Sequence, residues 1–257
     1  MNQIGYRVKL NDYLDSEITL LKFLDDYFSL FDICEIKVNK CLEQSTVFAK
    51  NLPYIISRYG DKLSFHLNKN LITHNLQLSR LELMILSIVK SNDLFNNINF
   101  ITHFNDSFDN NVLKNIVKHM KYFNNGAKLL LENAESNVYN ITLLEQMLKI
   151  YNSANEVCRD VGLCIDFGHL FINGYNLNEV LDYFYANNLF DNIAEYHFHN
   201  VKKNVAHQNI QDGIIDYKDV MGVINVKSAN SRIIMEHEVR NMFTDGVNNV
   251  LYLKKKI

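Results

Sequence analysis

The 257-residue sequence predicts a single α/β domain, residues 1–257, folded as a (β/α)₈ barrel. Short apolar runs alternate with longer amphipathic stretches from end to end, the pattern of parallel βαβ units. Eight such units can be counted, enough to close a barrel. The length is close to the roughly 250 residues typical of that fold. A doubly wound open sheet would want a Gly-rich phosphate turn after the first strand, and Gly5 stands alone there. No linker, repeat or low-complexity segment interrupts the pattern.

The elements follow in order. Ile4–Val8 reads as the first strand, and Glu17–Leu30 as a helix with apolar residues at helical spacing. Ile33–Val38 is a strand and Ser45–Arg58 a helix. Pro53, the one proline, falls inside that helical pattern, so the helix is expected to begin later or to kink. Leu63–Leu67 is a strand and Leu78–Val89 a helix. Asn99–Phe104 is a strand, with a helix near Asn111–Phe123. Lys128–Glu132 is a strand and Thr142–Val157 a helix. Leu163–Phe167 is a strand, Asn173-Gly174 a turn, and Leu177–Tyr185 a helix whose Tyr183, Phe184 and Tyr185 read as packing. Ala194–His199 is a strand, followed by a short helix around Tyr217–Val223. Arg232–His237 is the last strand, with a final helix inside Val239–Leu253.

Composition narrows the function classes. Apolar residues make up 47% and charged residues 21%, an ordered globular balance. No apolar run approaches the ~20 residues that span a bilayer, and Met-Asn-Gln-Ile-Gly lacks the regions of a signal peptide. Cys34, Cys41, Cys158 and Cys164 have no CxxC spacing and read as reduced thiols, so a cytoplasmic location is expected. The formal net charge is -3, without the basic footprint of a protein that grips duplex DNA, so a nucleic-acid partner is not expected. Lys254, Lys255 and Lys256 read as a solvated tail. The oligomeric state is open.

Polar residues fall in register at the C-terminal ends of the strands, where barrels of this kind carry their sites. His66 closes the third strand, His103 the fourth and Glu132 the fifth. Asp166 ends the sixth, with His169 just beyond. His197 and His199 end the seventh and share one face by period-two alternation. Glu236 ends the eighth, with His237 on the opposite face. Glu35 is a weaker member. Each alone has a bland reading: a histidine can be a hydrogen-bonded structural residue, Glu132 can pair with a lysine, and Asp166 can cap the turn into Phe167-Gly168. Together, converging carboxylates and imidazoles would be costly to bury unless a cation sat among them. Mixed oxygen and imidazole ligands suit Mn²⁺, Co²⁺, Zn²⁺ or Mg²⁺. His74, His119 and Cys41 read as surface or packing residues, and Glu135 as solvated.

At these residues the chain resembles the xylose-isomerase-like TIM-barrel superfamily, which holds sugar isomerases and epimerases, inositol-pathway enzymes and zinc-dependent abasic-site endonucleases. Leu131-Glu132-Asn133 is similar to the group's strand-five signature, and Asp166-Phe-Gly-His169 to its strand-six Asp-x-Gly-His. His197-Phe-His199-Asn200 resembles the His-Leu-His-Asp of strand seven, with Asn in place of Asp. The segment from His207 to Asp216 resembles the loop that follows, keeping the His, the second Gly (Gly213) and the Asp. Met235-Glu236 matches the strand-eight glutamate. The resemblance runs over nearly the whole chain and is weakest before Leu63.

The resemblance implies that Glu132, Asp166, His199 and Glu236 hold one divalent metal. It implies that His169 faces the substrate and that Glu132 and Glu236 double as acid and base. His66, His103 and His207 become substrate-binding residues or, with His169, additional metal ligands. The implied activity is a metal-dependent isomerase or epimerase of a sugar, sugar phosphate or polyol, moving a proton next to a carbonyl through a metal-stabilised enediolate. The alternative is a zinc-dependent abasic-site endonuclease or phosphodiesterase. Lys69 stands where the endonucleases carry a Tyr, and Val205 where they carry an Asp ligand. A barrel kept only for binding is a third reading, against which the intact ligand set argues.

Overall fold

A computed structural model describes residues 2–9, 22, 24–26, 28–67, 79–91, 98–104, 127–133, 142–157, 161–237 and 245–255. The eight expected strands are present and nearly in place. They are β1 (Gln3–Lys9), β2 (Ile33–Lys37), β3 (Leu63–His66), β4 (Asn99–Phe104), β5 (Lys128–Asn133), β6 (Val161–Asp166), β7 (Ile193–Phe198) and, after a hairpin, β10 (Arg232–Met235). They close a barrel in the order β1-β10-β7-β6-β5-β4-β3-β2, all pairs parallel. The hairpin, β8 (Asn200–Lys202) with β9 (Val205–Gln208), is antiparallel and stands on the barrel's C-terminal rim. It was not expected from the pattern.

The helices pack outside the barrel. They are α1 (Lys40–Glu43), α2 (Thr46–Tyr59), α3 (Arg80–Ser91), α4 (Thr142–Val157), α5 (Phe167–Ile172), α6 (Leu177–Ala186), α7 (Lys218–Lys227) and α8 (Val247–Lys254). Against expectation α2 begins ahead of Pro53 and runs through it. Ser45 starts it by accepting the Phe48 N–H at 2.8 Å, an N-cap that fixes the first turn. The helix expected at 111–123 lies outside the described residues, as do Lys69, His74, His119, Glu135, Cys158 and most of the span 17–30. No helix among the described residues is long and apolar enough to cross a membrane.

Strand alternation sorts the side chains into two environments. One parity faces the helices and joins one continuous apolar layer that includes Tyr6, Ile36, Phe65, Phe100, Leu131, Ile165, Tyr196, Phe198 and Met235. The other parity fills the barrel. There the apolar content shrinks to a small cluster of Ile101, Leu130 and Cys164. Ile33 and Ile234 share this parity, and the rest is largely polar: Arg7, Glu35, Ser64, His66, Asn99, Glu132, Asp166, Glu195, His197, Arg232 and Glu236 are all buried. Interiors of this fold are more often layers of branched aliphatic residues.

Candidate metal centre

Parallel register sets the strand ends side by side. His103 pairs with Glu132, and Asp166 with His197. Glu236 follows β10 directly and donates its backbone N–H to Phe198 O at 2.8 Å. The result is one buried cluster at the barrel mouth. Ligand atoms of Glu132, Asp166, His197 and Glu236 lie within 4.8 Å of one another.

Glu132 is its hub. Oε2 lies 2.9 Å from His66 Nε2 and 3.4 Å from His103 Nε2, while Oε1 lies 2.8 Å from His197 Nδ1. Glu236 Oε2 meets the same His197 nitrogen at 2.8 Å, and its Oε1 pairs with the Arg7 guanidinium. Asp166 does two jobs. Its Oδ1 accepts the His169 N–H at 2.8 Å and so caps α5, the bland role anticipated for it, while Oδ2 has no hydrogen bond among the described residues. Asn133 clamps the Asp166 backbone with two 2.9 Å hydrogen bonds. A second ring of imidazoles, His169, His199 and His207, brings its ring nitrogens within 4.8 Å of one another beside Asp166. His207 is the most exposed member, its side chain 23% accessible.

Burial drives the charged forms apart. It pushes the Glu132 carboxyl up, but His103, His197 and His66 pull it further down, and it ends well below its ordinary value. Asp166 is lowered in the same way, burial being outweighed by His169 and His199. Burial lowers His66, His169 and His207. His197 goes the other way: burial would lower it, but the charges of Cys164, Glu35 and Glu132 outweigh that and raise it.

A divalent cation fits this set. Among the described residues, five carboxylates face the barrel interior, on Glu35, Glu132, Asp166, Glu195 and Glu236, against two arginines, Arg7 and Arg232. Three negative charges remain for imidazole protons or a bound cation to meet. His66 sharpens the point. Its Nδ1 faces Leu67 O at 3.0 Å and its Nε2 faces Glu132 Oε2, so a neutral ring leaves one lone pair against an acceptor. Among the described residues, Asp166 Oδ2, Glu236 Oε2 and His169 Nε2 also have no hydrogen-bond partner.

His66, His103, Glu132, Asp166, His169, His199, His207 and Glu236, expected from sequence to form the site, stand together at this mouth, but two groupings were not foreseen. His199 lies with His169 and His207, touching Asp166 at 3.1 Å, whereas His197 occupies the centre of the carboxylates. Arg7 and Glu195, polar residues inside strands, were passed over. Their signal was position: Glu195 shares the inward phase of its strand with His197, and Arg7 lies in register beside Glu35. His237, on the outward face, sits edge-on to Tyr6 and pairs with Asn249 at 2.8 Å. A cavity of about 750 Å³ opens at the opposite end, between Asn99, Lys128, Asn192, Lys227 and Arg232, away from these histidines.

Comparison with known proteins shows the family and the fold. The sequence profile described as xylose isomerase-like TIM barrel matches residues 97–255. No curated protein matches by sequence. Among solved structures, a D-tagatose 3-epimerase-like protein superposes with a TM-score of 0.65 at 17% identity, covering 99% of this chain and 96% of that one. A structure described as AsfvAP:AG gives 0.61 at 14% identity, covering 99% of each. D-psicose 3-epimerase with D-tagatose, from Clostridium cellulolyticum H10, gives 0.60 at 14% identity, covering 97% and 89%.

Proposed function

The chain belongs to the xylose isomerase-like TIM-barrel family, and from that premise we propose that it is a divalent-metal-dependent isomerase or epimerase of a sugar, sugar phosphate or polyol. One observation carries the reading. Glu132 and Glu236, from strands on different sides of the mouth, bring carboxylate oxygens to 2.8 Å of a single point, the Nδ1 of His197. Two carboxylates flanking one locus can remove a proton from one side of a carbon and return it on the other. Glu132, Asp166 and Glu236, with an imidazole from the β7 segment, would hold the metal. Mn²⁺, Co²⁺, Zn²⁺ or Mg²⁺ there would supply the positive charge that eases loss of a proton beside a carbonyl. Arg7 holds Glu236 in place, and His66 and His103 hold Glu132. His169 and His207 stand where they can bind substrate hydroxyls. The sugar-epimerase neighbours agree with this reading without fixing the substrate.

A second reading, phosphodiester hydrolysis at an abasic site, is favoured by one feature. His66, His103 and Glu132 form a further group within 4.8 Å, and His169, His199 and His207 another, so the mouth could hold more than one ion. Val205, exposed on β9, offers no ligand there. The test pairs both substrates. Metal-free protein should be inactive and should melt at a lower temperature, and Mn²⁺ or Co²⁺ should restore interconversion of a ketose or aldose from a panel. Efficient scission of a duplex carrying one abasic site, lost on mutating His66 or His103, would select the second reading instead.

A further inference from the structure

Beneath the mouth, the barrel interior holds a second group of ligand atoms. Glu35 on β2, with Glu195 and His197 on β7, brings two carboxylate oxygens and an imidazole nitrogen within 4.8 Å of one another, and all three residues are fully buried. Glu195 precedes His197 by one inward position, which sets the group deeper than the strand ends. None of the three belongs to the set that the resemblance implies for the mouth ion, Glu132, Asp166, His199 and Glu236.

The hydrogen bonds leave this group unsatisfied. His197 Nδ1 meets Glu132 Oε1 at 2.8 Å, and an ionised carboxylate only accepts, so a ring proton sits on Nδ1. The other nitrogen, Nε2, turns to Glu35 Oε2 at 3.0 Å and Glu195 Oε1 at 3.6 Å. Neither contact has the alignment of a hydrogen bond: among the described residues, His197 Nε2 and both Glu35 oxygens have no hydrogen-bond partner. Glu195 accepts from the Ser64 hydroxyl at 3.0 Å on Oε1 and from the Asn99 amide at 2.8 Å on Oε2, which leaves each oxygen a further lone pair. The nearby arginines are engaged elsewhere. Arg7 pairs with Glu236 and keeps its Nε 3.9 Å from Glu35, and Arg232 donates to the carbonyls of Leu63 and Asp61. Lone pairs of two carboxylates and an imidazole turned on one another in a dry interior repel unless a cation lies among them.

We infer that Glu35, Glu195 and His197 Nε2 hold a divalent transition-metal ion inside the barrel, separate from any ion at the mouth. Carboxylate with imidazole suits Zn²⁺, Co²⁺ or Mn²⁺, and the nitrogen ligand disfavours Mg²⁺ and Ca²⁺. The spacing fits: with bonds of about 2.1 Å, neighbouring ligand atoms stand about 3.0 Å apart in an octahedron and about 3.4 Å apart in a tetrahedron. Two carboxylates and a divalent ion also sum to zero charge. The ion ties β2 to β7, which β1 and β10 separate in the sheet, and fixes the ring that supports Glu132 from below.

The test locates the ion. Zinc is supplied during expression, and wild-type crystals are measured on both sides of the zinc absorption edge. An anomalous peak enclosed by Glu35, Glu195 and His197 Nε2 is expected, whether or not the mouth is also filled. In solution, Glu35→Gln should carry one zinc per chain fewer than the wild type by elemental analysis, whereas Asp166→Asn, altered only at the mouth, should keep the interior ion. No interior peak, or equal zinc content in Glu35→Gln and wild type, overturns the inference. Peaks at the mouth alone do so while leaving the functional reading standing. A peak inside with none at the mouth supports the interior site and counts against that reading.

Discussion

His66, His169, His207 and His237 share a condition with consequences for the metal-free protein: burial lowers the pKa of each, His237 to about 4. A group whose folded pKa is depressed adds stability above its unfolded value, near 6.5 for histidine, and loses it as the pH falls through the folded value. Glu132 and Asp166, also depressed, lose theirs only beneath the ordinary carboxylate range. His197, raised, acts in the opposite sense, adding stability below about 6.5 and losing it at high pH. One raised ring does not offset four lowered ones. The urea midpoint of metal-free protein should therefore fall as the pH drops from about 6.5 to about 4. His237→Gln should flatten part of that fall. Parallel profiles for the variant and the wild type would contradict the assignment of His237. The sequence placed His66 and His237 in strand ends, His169 just beyond one and His207 in a loop; which nitrogen each spends, and on what, depends on partners far away in the chain and was not readable.

The β8–β9 hairpin is the element the pattern did not announce, because its signals are weak. Its turn residues Lys203 and Asn204 both have positive φ, 51° and 59°, without the Asn-Gly pair that marks such turns in sequence. Asn200 organises it. Its Nδ2 donates to Ile210 O at 2.8 Å and Ile215 O at 3.1 Å, and its Oδ1 accepts from Val201 N at 2.8 Å and Ile215 N at 2.9 Å. That explains Asn where the resemblance suggests Asp: a carboxylate could not donate to the two carbonyls. Asn200→Asp should cost about 1–3 kcal/mol in urea unfolding, the penalty of unmatched buried groups. An unchanged midpoint would show that the loop is held elsewhere. The strands and α4 were legible because their periods are strong. The bounds of α7 were not, since Lys218–Lys227 outruns its own apolar spacing.

At the scale of the molecule, the barrel carries its apolar core outside, between strands and helices, and a column of charge inside. The polar ends of that column were legible, since a His, Asp or Glu closing an apolar strand stands out. Its middle was not: Arg7, Ser64, Asn99 and Glu195 lie within the strands and stand out only once closure of the sheet turns their face inward. Such an interior is costly unless function requires it. The requirement proposed here is proton transfer between two glutamates beside a bound divalent cation. Isotope exchange tests it most directly. Manganese-loaded protein is incubated in heavy water with a panel of ketoses and their phosphates, and deuterium at the carbon next to the carbonyl is followed by NMR. Incorporation into at least one sugar is predicted, falling at least ~100-fold in Glu132→Gln and in Glu236→Gln. Exchange that persists in both variants, or none with any sugar at saturating metal, would contradict it.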